Sequence, residues 1–154
     1  MSYEFLEHTA DVKFRAEGSS VEGMFVEAAG ALNETIYGEM KVLELVEKNF
    51  EVEGKDWESL LYNFLEEFLY LLDAENFVVG KVKGISILEN NEPRTSTEDT
   101  KNNLSGGVYK LKCVVVGDDA DNYKFTNDVK AVTYSDMKVV KENGKWVCEV
   151  VLDV

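Results

Sequence analysis

The sequence predicts an α+β fold, with two helices packed on one face of a mostly antiparallel sheet. Three observations predict it. Two stretches, 19–38 and 56–72, carry apolar residues at spacings of three and four. Valine- and isoleucine-rich or alternating stretches flank them on both sides. After the second helix only strands follow, and Asn143-Gly144 marks a two-residue hairpin between the last two. Two helices on one face of a sheet are the simplest architecture for that order. At 154 residues the chain has the length of one domain, 1–154, and its 45% apolar fraction supplies a core.

The first strand pattern opens at Asp11. Val12, Phe14 and Ala16 fall on one side, Lys13 and Arg15 on the other. Gly18 turns the chain, and Ser19 with Glu22 three residues later has capping-box spacing. Val21, Met24, Phe25, Ala28, Ala29, Leu32 and Ile36 form the apolar face of the first helix, closed at Gly38. Val42 to Val52 reads as a strand bent near Glu47-Lys48-Asn49. Asp56 is the N-cap of a second, greasier helix, expected to be buried around most of its circumference, with Glu58, Glu66 and Glu67 as its wet stripe.

Phe77 to Leu88 is a strand region bent at Gly80 and Gly84. Glu89 to Gly107 is polar and reads as a long loop. Gly107 to Val116 alternates, and Gly117 to Asn122 is an acidic turn. Val129 to Val140 is a long strand interrupted near Ser135-Asp136. Lys145 to Val154 closes the chain with Trp146, Cys148, Val150 and Leu152 on one face.

The net charge of −14 excludes sequence-blind nucleic-acid binding through a basic face, because phosphates are repelled. An acidic surface suits cations or a basic protein partner. Cys113 and Cys148 sit far apart in apolar strand runs, which fits buried thiols in a reducing cytosol. No signal peptide opens the chain, and no apolar run approaches the ~20 residues that span a membrane. The expected location is therefore cytoplasmic. No Gly-x-Ser-x-Gly elbow, phosphate-cradling loop or dinucleotide fingerprint is present.

The chemistry-bearing residues gather at the two ends of the chain. His8, the only histidine, precedes Asp11 by three residues. A chain that stops inside a strand places the terminal carboxylate of Val154 beside Asp153. If the first and last strands are neighbours, Asp11, Asp153 and Val154 offer an oxygen-rich site for calcium, magnesium or manganese. A nitrogen from His8 would favour a transition metal. The plainer alternative is that Asp11 caps a turn, Asp153 is solvated, and His8 pins the turn that presents Asp11. Lys130 is either an outward strand lysine or a cation aimed at the acids or at a partner. Asp118, Asp119 and Asp121 either make a solvated turn or add ligands and contacts.

Four stretches resemble the archease family: Tyr3 to Asp11 with its Glu-His-Thr-Ala-Asp core; Leu60 to Leu65 followed by Phe68 to Ala74; Asp128 to Tyr134; and Val151 to Val154. They lie in order across nearly the whole chain. The resemblance implies an archease-like α+β fold. It also implies a protein cofactor, not an enzyme, that activates the RtcB-type GTP-dependent RNA ligase in tRNA splicing and RNA repair. Such a cofactor promotes formation of the ligase–GMP intermediate and multiple turnover. By resemblance a divalent cation binds at Asp11 and Asp153, and Lys130 carries a functional role. The chain departs from the family where Tyr123-Lys124-Phe125 and Ser135 stand in place of histidines. Two other readings stand beside it: a small metal-dependent hydrolase built on Asp11, Asp153 and His8, and a chaperone-like interaction protein, which needs an exposed apolar patch.

Overall fold

Each helix is entered by the same device. Strand β2 (Val12–Gly18) ends in Gly18, and two residues on Ser20 caps helix α1 (Val21–Tyr37). Strand β3 (Val46–Gly54) ends in Gly54, and two residues on Asp56 caps helix α2 (Trp57–Glu75). A Cβ at either glycine would lie 2.5 Å from a backbone nitrogen of the following helix, Met24 or Leu60. Only glycine lets strand end and helix start approach this closely. The computed structural model describes residues 2–7, 10–89, 109–125 and 128–154. The polar stretch 90–107 and His8 lie outside the described residues.

The caps differ in detail from the expectation. Ser20, not Ser19, caps α1: it holds extended backbone angles, and its Oγ accepts from the Gly23 N–H at 3.0 Å. Ser19 is consumed in the turn after Gly18. The reciprocal capping box occurs at α2 instead, where Asp56 Oδ1 accepts from the Ser59 N–H at 2.7 Å and Ser59 Oγ accepts from the Asp56 N–H at 3.2 Å. Gly38 (φ 65°) and Asn76 (φ 52°) end the helices.

The remaining strands are β1 (Ser2–Leu6), β4 (Phe77–Glu89), β5 (Tyr109–Asp119), β6 (Ala131–Glu142) and β7 (Lys145–Asp153). Among the described residues every pairing is antiparallel. The strands form two sheets, β1-β2-β7-β6 and β3-β5-β4. The α+β class with two helices holds, and the sheet is divided. Helix α1 packs on β1, β2, β7 and β4, and α2 on β3, β4, β5 and β6, so both helices touch both sheets.

The free edge of β6 is bonded by α2. Glu66 and Glu58 of α2 accept from the Val132 and Val139 N–H groups of β6, at 2.8 and 3.2 Å. Those groups lie on the edge of β6 away from β7, where a further strand would otherwise pair. These two acids therefore hold an edge strand and are not part of a wet stripe.

Helix α2 is enclosed around most of its circumference from Trp57 to Leu72, as expected, and α1 is enclosed more widely than its predicted face. Helix α1 buries Ala31, Asn33 and Thr35 in addition to its predicted face. In α2, Leu72 is only half-buried and Tyr70 is 54% exposed. Alanines at 28, 29 and 31 let other elements approach α1 on several sides. The aromatic centre of the core is Phe25, Phe50, Phe64 and Phe68, drawn from both helices and β3.

Strand β3 begins at Val46 and pairs with β5 without a bend as far as Gly54. Glu47 and Lys48 each find an ion partner, Lys83 at 2.7 Å and Glu75 at 2.6 Å, so no turn is needed to expose them. Strand β4 shifts register around Gly80 and again just before Gly84. Strand β6 bulges between Thr133 and Lys138, with Asp136 at φ 54°. Asn143 (φ 51°) and Gly144 (φ 79°) make the tight hairpin turn into β7.

Candidate functional site

Strand β7 lies between β2 and β6, and its register fixes what meets at one end of the sheet. Val12 stands opposite Leu152, and Ala131 opposite Asp153. One further step of the β2 ladder puts Asp11 opposite Asp153. On the other side the Lys130 N–H donates to the Asp153 carbonyl at 2.8 Å. Residues opposite one another in an antiparallel pair show their side chains on the same face. Phe14, Val150 and Leu152 face the core, so Asp153, out of phase with them, belongs to the outer face, while Asp11 lies in the bend just before β2.

Asp153 is exposed, Asp11 is half-buried, and the Lys130 side chain is exposed. Val154 is half-buried and packs on the core, so only its main-chain oxygens are available beside Asp153. Ala10 holds φ 67°. That left-handed conformation costs a residue with a Cβ about 1–2 kcal/mol, and it sets the turn from which Asp11 emerges. Asp11 also lines a cleft of about 300 Å³ with Lys13, Glu34 and Thr35, between the start of β2 and the last turns of α1.

Among the described residues, no three His, Cys, Asp or Glu side chains gather as an ion cage. Asp11 and Asp153 bring hard oxygen donors to one end of one sheet. That donor set fits a calcium, magnesium or manganese ion that retains part of its water shell.

The outer face beyond the acids is a charge network. Glu149 meets Lys13 at 3.5 Å, Arg15 at 3.4 Å and Lys138 at 3.6 Å. Arg15 also meets Glu142 at 3.7 Å, and Lys13 meets Asp136 at 3.9 Å. The stems of these residues cover Val147 and Val151, which are buried on the face turned away from the core.

At the acidic corner where β5 ends, Asp118 is withdrawn from solvent while Asp119 and Asp121 are exposed. Asp118 is buried and accepts from Tyr123 Oη at 2.7 Å, the Asp119 N–H at 2.7 Å and Asn122 Nδ2 at 3.4 Å. The Tyr123 hydrogen bond above all, with those from the Asp119 amide and Asn122, holds its carboxyl below the usual aspartate range. Asp119 accepts from Asn76 Nδ2 at 2.8 Å and from the Asp121 N–H at 2.9 Å. Cys113 and Cys148 are buried, and desolvation pushes both thiols up to about 12. Neither supplies a thiolate at neutral pH.

Sequence reasoning did not find the bonds from Glu58 and Glu66 to β6, nor the stack of Tyr62 on Tyr134 with centroids 4.3 Å apart. An acid on a helix and a tyrosine in a bulge carry no local signal that they will meet.

Residues 3–154 match the sequence profile of the archease protein family. The chain belongs to the archease family. It is 38% identical to the protein archease of Pyrococcus furiosus over 99% of this chain and 98% of that one. It is 34% identical to the protein archease of Methanosarcina mazei over 99% and 95%. The solution structure of protein 1598 from Methanobacterium thermoautotrophicum superposes with a TM-score of 0.77, at 27% identity and 99% coverage of both chains. The crystal structure of a Thermotoga maritima protein described as an archease and possible chaperone shares the fold, with a TM-score of 0.60, 21% identity, and 97% and 94% coverage. Among the described residues no helix is long and apolar enough to cross a membrane.

Proposed function

We propose that this archease is a non-catalytic activator of an RtcB-type GTP-dependent RNA ligase in tRNA splicing and RNA repair. In this reading it promotes formation of the ligase–GMP intermediate and so sustains multiple turnovers. Asp11 and Asp153, with a main-chain oxygen of Val154, hold a divalent cation. When bound, that cation offers positive charge and open positions to phosphate oxygens. The observation that carries the proposal is the strand register that brings Asp11, Asp153 and Lys130 to one end of one sheet.

Each residue then has a task. Asp153 is fixed by main-chain bonding to β6 while its carboxylate stands exposed, which suits binding from outside. Asp11 is oriented by the turn at Ala10. Lys130 sits beside these acids and reaches an acidic group of the partner or of its nucleotide. A chain of net charge −14 repels RNA yet suits the basic cleft of an RNA ligase.

The test combines a purified RtcB-type ligase, GTP, divalent metal and split RNA with and without this protein. An activator is silent alone and raises turnover and ligase–GMP formation in the mixture. Hydrolysis by the protein alone, or unchanged ligase turnover, would overturn the reading.

A further inference from the structure

Next to Lys130 the surface carries a second feature, a cleft of about 570 Å³. Its lining includes Asp73 and Asn76 from the end of α2, Asp121, Tyr123 and Phe125 from the segment after β5, and Asp128. The three aspartates are exposed, and among the described residues no lysine or arginine lines the cleft. The last turn of α2 also holds no basic residue, so the partial negative charge of the helix C-terminus adds to the carboxylates.

One wall continues into an exposed apolar patch. Leu43 is 50% and Leu45 69% exposed, and Phe125 is 37% exposed. Tyr123 ties patch to cleft: its hydroxyl accepts from the Leu43 N–H at 2.9 Å and donates to Asp118 at 2.7 Å. The Leu45 N–H donates to the Gly117 carbonyl at 3.0 Å, so the leucines are presented from a bonded backbone. An acidic hollow rimmed by fixed leucines and an aromatic ring is too large for a bare ion.

We propose that this cleft and its leucine rim dock a basic segment of a protein partner. A lysine or arginine enters the cleft, and an apolar side chain of the same segment rests on Leu43 and Leu45. The charge of the lining selects the cation, and the aromatic rings accept its flank. The aliphatic stem of the basic residue matches the apolar rim. Asp128 and Val129 line the cleft and lead directly to Lys130, so the surface is continuous with the candidate site. Identifying the partner as the ligase rests on the function proposed above, while the basic, apolar-anchored chemistry of the docked segment does not.

Two measurements test it. In the first, calorimetry follows binding of a purified RtcB-type ligase to the wild type and to the triple variant Asp73→Asn, Asp121→Asn, Asp128→Asn. A control triple, Glu47→Gln, Glu51→Gln, Glu53→Gln, removes the same charge from the outer face of β3. The cleft variant should bind at least tenfold more weakly with a shallower salt dependence, and the control should bind within about twofold of wild type. Equal loss in both variants, or in neither while the wild type binds, would overturn the docking surface and leave the ligase reading standing.

In the second, NMR follows a titration with a synthetic amphipathic helix of lysine and leucine. Shifts confined to Leu43, Leu45, Asp121, Tyr123 and Phe125, and lost in the cleft variant, support the surface even if no ligase binds. Shifts spread over the whole acidic exterior overturn it.

Discussion

Two groups of aspartates on this molecule have opposite fates. At the corner after β5, Asp118 spends its carboxylate on Tyr123, Asn122 and the Asp119 amide, and Asp119 spends its own on Asn76 and the Asp121 amide. At the end of the four-stranded sheet it is the main chain of Asp153 that is used, through the Lys130 N–H, while the side chain stands exposed. Both groups lie at strand ends. The difference is what each carboxylate meets: at the corner Asp118 and Asp119 meet amides and a tyrosine, and at the sheet end the Asp153 carboxylate is exposed. A carboxylate satisfied from within holds the fold. One presented by strand register is available to something outside.

The largest effect separating the two groups should come from the sheet end. Asp153→Ala and Asp11→Ala should each abolish ligase activation, while thermal melting of the Asp153 variant changes little, since exposed substitutions typically cost under ~0.5 kcal/mol. Wild-type activation by both variants would place the function elsewhere. Lys130→Ala should reduce activation severalfold through the partner contact, with divalent-metal affinity by calorimetry unchanged. A parallel loss of metal binding would make Lys130 part of the fold of the site.

The corner should behave the other way. Asp118→Asn should lower the urea midpoint and leave per-molecule activation intact. Its pH dependence has a defined sign. The folded-state pKa is depressed, chiefly by the Tyr123 hydrogen bond, so the stability it supplies is present above the ordinary aspartate range near pH ~4. That stability is lost as the pH falls through the lower folded value. Acid unfolding curves of Asp118→Asn should therefore be shallower in that window than those of wild type. Curves that coincide would show that the corner contributes nothing through this carboxyl.

The smallest effect concerns the strand that carries Lys130. Glu66→Ala removes the acceptor for the Val132 N–H and should cost about 1 kcal/mol, with faster hydrogen exchange at Val132 and a slight loss of activation. Unchanged exchange at Val132 would mean that another group holds that edge of β6.

Much of this arrangement is local and therefore readable from the chain. The apolar alternation from Val12 to Ala16, Asp56 as a cap, Gly38 as a stop, the hairpin at Asn143-Gly144 and the bulge near Asp136 each depend on residues within a few positions. Asp11 and Asp153 were also legible as candidates, because each sits at the end of a patterned strand and within a motif shared with archeases.

What the sequence by itself determined is thus the class of each element, most of its ends, and the residue types placed at those ends. Only the tertiary structure decided which ends meet. The pairing of β2 with β7 joins residues about as far apart as the chain allows, and no local rule encodes that register. The bonding of the β6 edge by Glu58 and Glu66 was likewise settled in three dimensions. The same holds for Asp118, whose three donors turn an apparent surface acid into a buried one. Hydrogen-bond partners are supplied by whatever folding brings near, and a buried donor or acceptor must be satisfied wherever it lands.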